Sequence, residues 1–409
     1  MTPPEKILET AKKEQADAVM LSGLITPSLD EMANVISLLD KQGEQVPVMV
    51  GGATTSQLHT AVKLAPLYKG CVVQTKDAST CVKVLSEIVG ANRVEEMRRI
   101  AQKQALQREE YYKKEAEKEL LTLEEARTNR ARFDFNHIPI PVKTGRILFD
   151  NIPLQEIRPF INWTMFFAAW DITGRYPRIF EDKEKGEEAK KLFDDANKLL
   201  DDIITGNSIR AKAVMEIYPA LSEQEEIILY KNTDYKEELA RIPVGRNRKK
   251  KKEGEKNLSL ADFIAPIESG KHDYIGLFAL TAGLGTDELS QKYAAEGDPY
   301  FSIMVKLLSD RLAEALAEYL HYKVRTEIWG YAPDEPMEIE RILRGEYRGI
   351  RPAFGYPACP DHRNKQILFK LLEAEKNIGV TLTESMMMNP VASISGMIFA
   401  HEKSKYFNT

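Results

Sequence analysis

Short apolar runs alternate with amphipathic segments through the first part of the chain. The predicted strands lie at 16–21, 46–50 and 71–74, and the predicted helices at 28–39, 56–64 and 78–89. Ser28 and Glu31 have the spacing of a capping box, which favours a helix that starts at Ser28. Strands that alternate with helices indicate parallel strands joined by right-handed crossovers. Because three strands are too few for a complete doubly wound domain, we expect a partial, Rossmann-like parallel sheet.

A charged helical segment follows at 92–132. Its residues favour helix, and acidic and basic side chains are dense over 93–99 and 108–115. Such a segment is typical of a solvent-exposed helix that connects two domains. We therefore predict a first domain at 1–91, a linker at 92–132 and a second domain at 133–409.

The remainder of the chain mixes helices and strands without a regular alternation. A helical pattern covers 187–204, two apolar runs at 213–218 and 226–230 predict paired strands, and 301–329 predicts one long amphipathic helix. The apolar side of that helix consists of Leu308, Leu312, Ala315, Leu316 and Tyr319. These patterns indicate an α+β domain with an antiparallel sheet. The fold class is therefore α/β, with a partial doubly wound sheet, followed by α+β.

Composition narrows the class of protein. No apolar run is long enough to cross a membrane, and the three scattered cysteines support neither a disulfide framework nor a four-cysteine zinc site. The few scattered cysteines favour the reducing cytoplasm. The net charge of −5 argues against nucleic acid as the main partner. The basic run at 246–252 is followed at once by acidic residues, which favours a solvated loop over an anion-binding patch.

Small and hydroxylated residues follow each of the three predicted strands. They are Ser22 and Thr26 after the first strand, Gly51 and Gly52 after the second, and Ala78 and Ser79 after the third. A doubly wound sheet binds its ligand just beyond the carboxyl ends of its strands. The glycines alone fit a purely steric role as well. Together the three edges predict a site with room for a bulky cofactor.

Two of these segments carry a family resemblance. The sequence 21–32 (LSGLITPSLDEM), followed by 50–56 (VGGATTS), closely resembles the cobalamin-binding domain of cobalamin-dependent methionine synthases. The resemblance implies that the pocket for the nucleotide tail of cobalamin is lined by Ser22, Thr26, Gly51, Gly52 and Ala78. The family's Asp-x-His-x-x-Gly motif, whose histidine is the lower cobalt ligand, does not occur in this sequence. We therefore expect part of a cobalamin pocket without a protein ligand to the metal.

A second unusual segment is the loop at 351–362 (RPAFGYPACPDH). Its three prolines and one glycine fix an irregular backbone, so a rigid loop without further function is one interpretation. A metal site at Cys359 and His362 is a weaker alternative, because no other ligand pair at zinc spacing accompanies them. The planar guanidinium of Arg351 is better suited to binding a carboxylate, which it can contact with two nitrogens.

This loop and four other segments resemble the activation domain of the same family. The four segments are 161–167 (INWTMFF), 170–177 (WDITGRYP), 273–276 (DYIG) and 329–333 (WGYAP). The resemblance implies that S-adenosylmethionine contacts Arg351, the backbone of Ala353, Glu314 and the pair Tyr406 and Phe407. It also implies that Tyr356 meets the corrin ring of cobalamin.

One position departs from the family pattern. Asn162 stands where the family often has Asp, beside the methionine end of the ligand. Asparagine keeps a carbonyl acceptor but lacks the charge that attracts an ammonium or sulfonium group. Either Glu314 supplies more of that attraction here or the affinity is lower. Apart from the resemblance, Glu314 fits a solvated helix face that it shares with Asp310 and Glu318 at helical spacing.

The activity implied by the resemblance is a methyltransferase reaction in methionine biosynthesis. The implied role is reactivation, in which S-adenosylmethionine and an electron donor, flavodoxin-like or a diflavin reductase, restore methylcobalamin. The homocysteine, folate and cobalamin-cap modules of the family are the expected partners, and this chain alone is not expected to make methionine. Two alternatives remain: a cobalamin carrier module of another methyltransferase, and a noncatalytic protein that binds anions or nucleic acid through 246–252. A salt-dependent interaction with nucleic acid would favour the second alternative.

Overall fold

The computed structural model divides the chain into two compact units, Met1–Glu119 and Leu120–Thr409. It describes residues 2–23, 28–52, 54–76, 78–116 and 120–407, apart from the side chains of 78, 79, 115 and 116. The division falls inside the segment 92–132 that the sequence predicts as a linker. We describe each unit by itself.

Over its described residues, the first unit contains a small parallel sheet and five α-helices. Its strands are β1 (Val19–Ser22), β2 (Val48–Gly51) and β3 (Val72–Gln74), and its helices are α1 (Pro4–Lys13), α2 (Ser28–Lys41), α3 (Gln57–His59), α4 (Ala78–Val89) and α5 (Arg93–Ala116). The strands lie in the order β1-β2-β3 and all pairs are parallel. The predicted parallel α/β arrangement is confirmed. A π-helical turn at Thr60–Leu64 continues α3.

Burial explains why these segments become strands and helices. Every residue of the central strand β2 is buried, whereas β1 buries Val19 and Leu21 and exposes the residues between and after them. The helix α2 turns one face to the sheet, at the i, i+3, i+4 and i+7 spacing of an amphipathic helix. That face consists of Met32, Val35, Ile36 and Leu39.

The long charged helix α5 packs against the rest of the first unit through polar contacts. Gln104 donates from Nε2 to the carbonyl of Val72 at 2.7 Å, and Arg108 donates from Nη1 to the carbonyl of Ala61 at 2.8 Å. The predicted helix is present within 92–132. These contacts attach it to the sheet edge, so it is more than a solvated connector.

The second unit is built around a six-stranded antiparallel sheet. Its helices are α6 (Leu123–Thr128), α7 (Leu154–Ile157), α8 (Trp163–Ala169), α9 (Gly186–Gly206), α10 (Thr286–Ala295), α11 (Pro299–Lys323), α12 (Ile339–Leu343), α13 (Lys365–Leu372) and α14 (Ala374–Ile378). Its strands are β4 (Gly145–Ile152), β5 (Arg210–Glu223), β6 (Glu226–Tyr230), β7 (Glu238–Pro243), β8 (Asp273–Leu284), β9 (Thr381–Leu382), β10 (Met388–Asn389) and β11 (Ser393–Ile398). The large sheet has the order β11-β8-β5-β6-β7, β4 also pairs with β5, and β9 and β10 form a separate hairpin.

Both faces of the large sheet are covered. Along β5, Ala213 and Met215 pack on the side of α9 and α11, while Val214 between them packs on the side of α13. Leu312 of α11 and Leu368 of α13 belong to these two opposite clusters. The α+β class with an antiparallel sheet is therefore confirmed, and the predicted pairing of two strands corresponds to β5 and β6.

The helix α11 is the longest element of the second unit. It begins at Pro299, and the Asp298 side chain caps it by accepting a hydrogen bond from the N–H of Phe301 at 3.0 Å. It continues into a π-helical turn at Val324–Ile328, so the prediction of one long helix is confirmed. All five residues predicted for its apolar side are buried: Leu308, Leu312, Ala315, Leu316 and Tyr319.

The prediction of a solvated loop at 246–252 is wrong for its first two residues. The Arg246 side chain is 1% exposed and donates to Glu225 at 2.7 Å and to both carboxylate oxygens of Asp262 at 2.7 and 2.8 Å. Asn247 is also buried. A buried arginine is stable when carboxylates meet its fork, and these two come from neighbouring segments. The patch proposed for anions or nucleic acid therefore loses its first arginine to the interior.

Among the described residues, no helix is long and apolar enough to cross a membrane. The cysteines Cys71, Cys81 and Cys359 form no disulfide.

Candidate functional site

The strand ends of the first unit come together as the sequence predicts. Ser22 ends β1 and Gly51 ends β2, and the two strands are neighbours in the sheet. The N–H of Gly23 donates to the carbonyl of Gly51 at 3.0 Å, and Thr54 donates from Oγ1 to the carbonyl of Gly23 at 3.1 Å. The loops after β1 and β2 are therefore tied to each other at this edge.

Gly52 permits this close approach. Its φ of +101° lies in the left-handed region, and a Cβ atom there would stand 2.2 Å from the carbonyl oxygen of Gly23. Any side chain at this position would push the two loops apart. Ser22 and Gly52 are exposed at the edge, so a ligand has access to a hydroxyl and to open backbone.

The third strand end adds a residue that the sequence prediction missed. Thr75 follows β3, is 5% exposed, and its Oγ1 would lie 3.3 Å from a Cβ on Gly51. A hydroxyl directly after the third predicted strand was the available signal. Ala78 begins α4 close to the same strand end, and its side chain is not described; Thr26 lies outside the described residues.

The groups at this edge suit a ligand that forms hydrogen bonds and needs space. Small residues leave space, and Ser22 offers a hydroxyl next to exposed backbone. Over the described part of the chain, no group of three or more His, Cys, Asp and Glu side chains is arranged to hold a metal ion. The histidine of this unit, His59, has its pKa lowered by burial and by the nearby Lys63.

In the second unit, the loop that carries Arg351 is attached to the edge of the sheet. Ile350 and Phe399 exchange backbone hydrogen bonds at 3.1 and 3.0 Å, and the N–H of Met397 donates to the carbonyl of Pro352 at 3.0 Å. Gly396 of β11 makes the approach possible, because a Cβ there would lie 2.6 Å from the Pro352 oxygen. The sheet therefore fixes the backbone on both sides of Arg351.

The guanidinium of Arg351 is largely buried and paired with Glu318 of α11. Nη2 of Arg351 donates to Oε1 of Glu318 at 2.5 Å, and the two side chains are 14% and 15% exposed. Burial opposes the charged guanidinium, but the combined electrostatic effect of Glu318, Tyr347, Tyr406 and Glu314 exceeds that of burial, so the pKa of Arg351 is raised. Nε of Arg351 is buried and has no hydrogen-bond partner among the described residues. The sequence prediction missed Glu318 as a site residue, although it lies one helical turn after Glu314.

Glu314 lies on the exposed side of α11, near the same loop. Its negative charge contributes to the raised pKa values of Arg351 and of Tyr356. The alternative of a solvated helix face agrees with the exposure of Glu314, whereas Asp310 and Glu318 are only partly exposed. Burial raises the pKa of Asp310 to about 6.

The C-terminal aromatic pair also reaches this loop. The Tyr406 hydroxyl oxygen accepts a hydrogen bond from the backbone N–H of Arg351 at 3.0 Å, while its ring remains 58% exposed. Phe407 packs against the hydrophobic cluster that contains Phe263. The backbone N–H and C=O of Ala353 have no partner within the described ranges. The unpaired backbone groups of Ala353 thus lie next to Arg351, which Tyr406 contacts.

Tyr356 stands at the tip of a tight turn. The N–H of Gly355 donates to the carbonyl of Cys359 and the N–H of Cys359 donates to the carbonyl of Tyr356, both at 2.8 Å, and Tyr356 is 58% exposed. The ring of His362 lies so close to Gly355 that a Cβ there would overlap it. Burial raises the pKa of the Cys359 thiol to about 12. The loop is therefore a rigid support for Tyr356, and the metal-site alternative at Cys359 and His362 finds no support among the described residues.

Asn162 is used locally. Its side-chain oxygen accepts a hydrogen bond from the N–H of Met165 at 3.3 Å and so caps the start of α8. Within the described part of the chain, no contact joins Asn162 to Glu314 or Arg351. The preference of asparagine for helix N-caps is a sequence signal for this role.

Comparisons with known proteins agree with this geometry. The B12-binding domain family matches residues 1–82, and the family described as "Vitamin B12 dependent methionine synthase, activation domain" matches residues 153–409. A solved structure described as "Crystal Structure of the MetH Reactivation Domain bound to AdoHcy" is 44% identical, with a TM-score of 0.69 over 71% of this chain and 89% of that chain. The activation-domain match takes in more than half of the sequence. The chain therefore belongs to the family of vitamin B12-dependent methionine synthases, with a B12-binding region followed by the activation domain.

Proposed function

We propose that the chain binds S-adenosylmethionine through its second unit and uses it to return inactive cobalamin to the methylated form. One observation carries the proposal: the largely buried guanidinium of Arg351 has an Nε–H without a partner, beside the open backbone of Ala353. A buried donor left unpaired costs about 1–3 kcal/mol. A ligand that brings an acceptor oxygen to this loop would remove that cost.

The amino-acid end of S-adenosylmethionine fits the charges around Arg351. Its carboxylate would meet the guanidinium, which is suited to planar oxygen pairs. Its ammonium and sulfonium groups would lie toward Glu314, whose exposed carboxylate is in electrostatic reach of the loop. Asn162 would contribute the dipole of its amide at the same end, and its carbonyl would be shared with the cap of α8.

The remainder of the ligand would lie along the loop backbone. Ala353 offers an unpaired N–H and C=O, which are the groups that can read the edge of a nucleobase. The Tyr406 hydroxyl oxygen accepts a hydrogen bond from the N–H of Arg351 beside this backbone, and the next residue, Phe407, packs against the cluster that contains Phe263. The relative solved with AdoHcy is consistent with this ligand class, because AdoHcy is what S-adenosylmethionine becomes when it gives up its methyl group.

The first unit would hold the nucleotide tail of cobalamin, with residues 1–91 as the cobalamin-binding domain and residues 92–132 leading to the activation domain at 133–409. The tail pocket would comprise Ser22, Thr26, Gly51, Gly52 and Ala78. Tyr356, exposed on its rigid turn, would contact the corrin face. When bound, cobalamin would supply cobalt, which accepts the sulfonium methyl group once an electron donor has reduced the cobalt.

The chain's own residues would act by positioning. Arg351, Glu314 and Asn162 would orient the sulfonium methyl group, and Tyr356 would keep water away from the corrin face. Bringing two reactants into line accounts for a large part of such a rate enhancement. We propose a flavodoxin-like protein or diflavin reductase as electron donor, and the homocysteine, folate and cobalamin-cap modules as partners in the reducing cytoplasm. By itself the chain would not make methionine.

A labelled-methyl experiment tests this function. The chain is incubated with excess cobalamin, titanium(III) citrate as reductant and S-adenosylmethionine that carries carbon-14 in its methyl group. We expect the label to appear in cobalamin together with an equal amount of AdoHcy. Omission of the reductant is the control and should abolish the transfer.

Two results would contradict the proposal in different ways. If calorimetry detects no binding of S-adenosylmethionine, the ligand assigned to the Arg351 loop is wrong. If S-adenosylmethionine binds but no label reaches cobalamin above the rate without protein, the reactivation role is wrong for this chain.

A further inference from the structure

Glu318 is bound at both of its carboxylate oxygens. Oε1 accepts a hydrogen bond from Nη2 of Arg351 at 2.5 Å, and Oε2 accepts one from the hydroxyl of Tyr347 at 3.3 Å. A carboxylate with one oxygen fixed can still rotate about its last bond, whereas one fixed at both oxygens has a set direction. The acceptor offered to Arg351 is therefore held in one orientation.

Tyr347 is itself held from behind by a buried arginine. The guanidinium carbon of Arg325 lies 4.0 Å from the centre of the Tyr347 ring, the geometry of a cation–π contact. Arg325 is 0% exposed and donates from Nε and Nη2 to both carboxylate oxygens of Glu335 at 2.7 and 2.6 Å. His321 meets the same ring edge-on, with centroids 5.0 Å apart. The ring of Tyr347 is thus enclosed by rigid partners.

These contacts form one line of support that ends at Arg351. We call Glu335, Arg325, Tyr347 and Glu318 the support network. Glu318 and the residues that hold Tyr347 lie on α11 and the turn that extends it, whereas Tyr347 and Arg351 lie on the loop that follows α12. The network therefore joins the helix to the ligand loop through side chains alone. Glu318 engages Nη2 of Arg351 and leaves Nε without a partner.

We propose that Glu318 is a positioning residue, which Tyr347 orients so that Arg351 presents its remaining N–H groups to a ligand carboxylate. The identity of that carboxylate rests on the function proposed above, whereas the support of Arg351 does not. The opposite role would be a placeholder: a carboxylate that occupies Arg351 until the ligand displaces it. The two roles predict opposite effects, because losing a support weakens ligand binding and losing a competitor strengthens it.

The first test needs no ligand. Nitrogen-15 NMR of arginine side chains distinguishes a held guanidinium, whose Nη groups rotate slowly and resonate separately, from a freely rotating one. We expect slow rotation for Arg351 in the full chain, and faster rotation in Tyr347→Phe and Glu318→Ala. Glu318→Gln keeps an acceptor oxygen and should restore part of the restraint. Glu327→Ala, which removes an exposed carboxylate paired with Lys323 on the adjoining turn, is the matched control.

The second test compares two ligands. S-adenosylmethionine carries the carboxylate, whereas 5′-methylthioadenosine has the same nucleoside and an uncharged thioether sulfur but no amino-acid group. By the usual strength of a hydrogen bond to a charged group, Glu318→Ala should weaken S-adenosylmethionine about tenfold. Methylthioadenosine should bind the variant and the wild type equally, and Tyr347→Phe should show the same pattern to a smaller extent. A merely structural role would weaken both ligands and lower the melting temperature in parallel.

Free rotation of the Arg351 guanidinium in the wild type would overturn the proposal, and so would tighter binding of S-adenosylmethionine by Glu318→Ala. Equal losses for both ligands would also overturn it. If the wild type binds neither ligand, the proposed function fails, and the NMR comparison still decides whether Glu318 and Tyr347 hold Arg351.

Discussion

Replacing Arg351 by alanine is the most direct test of the ligand loop. The side chain pairs with Glu318, and its Nε–H lacks a partner among the described residues. Loss of a charged partner to the ligand carboxylate should cost about 1.5–3 kcal/mol, a factor of roughly ten to one hundred and fifty in the dissociation constant of S-adenosylmethionine. We therefore expect Arg351→Ala to weaken binding within this range.

The alanine variant also leaves Glu318 without its cation, so stability has to be measured beside affinity. The carboxylate is 15% exposed, and we expect a fall in the melting temperature. Arg351→Lys keeps a positive charge, but one ammonium group cannot contact Glu318 and a ligand carboxylate with the geometry of a guanidinium. Its affinity should lie between those of the wild type and the alanine variant.

Isothermal titration calorimetry at neutral pH measures these differences. Arg363→Ala is the matched control, because the Arg363 side chain is 82% exposed, directly follows the same loop and pairs locally with Asp361. Equal affinities of wild type and Arg351→Ala for S-adenosylmethionine would refute the placement of the carboxylate. A comparable loss in Arg363→Ala would show that the loop responds to general charge and not to Arg351.

Four further predictions concern other parts of the molecule. Asn162→Asp should tighten S-adenosylmethionine binding, more so at low salt, in titrations at two ionic strengths. Unchanged binding would mean that Glu314 alone attracts the positively charged groups of the ligand. Arg246→Met leaves the buried Asp262 without its arginine, while Glu225 keeps Arg127, and should reduce the free energy of unfolding by about 3–5 kcal/mol in urea titrations; a loss below 1 kcal/mol would mean that the loop is solvated. Burial raises the pKa of Asp310 to about 6, above its unfolded value, so this carboxyl destabilises the fold as pH rises through 6. Asp310→Asn should therefore raise the melting temperature more at pH 8 than at pH 5. An equal gain at the two pH values would contradict the raised pKa of Asp310. Cobalamin should bind weakly and without histidine coordination. If the electron paramagnetic resonance signal of cobalamin is split by the nitrogen of nitrogen-15-labelled histidine, the absence of histidine coordination is refuted.

Periodic patterns predicted most of the fold because burial dictates them locally. The five apolar residues predicted for α11 are all buried, and the three strands predicted for the first sheet are present and parallel. The edge formed by Ser22, Gly51 and Gly52 also followed from strand position alone. Such features depend on residues close in sequence, so one chain is enough to predict them.

The parts that the sequence did not predict depend on distant partners. Arg246 looked like one residue of a solvated basic run, but Glu225 and Asp262 come from other segments to bury it. Glu318 looked like one of several acids on a helix face, and only the loop that carries Arg351 gives it a partner. Asn162 is different, because its role at the N-cap of α8 follows from the local preference of asparagine for that position.

The close approach between Gly396 and Pro352 has a consequence for protein engineering. Because a Cβ at position 396 would lie 2.6 Å from the Pro352 oxygen, the strand and the loop have complementary shapes that cannot be changed one at a time. A designer who transplants the loop 350–362 onto another scaffold would have to carry β11 with it, including the glycine. Libraries that vary the loop for new specificity should accordingly keep position 396 constant and place their diversity at Tyr356, where the side chain projects into open space.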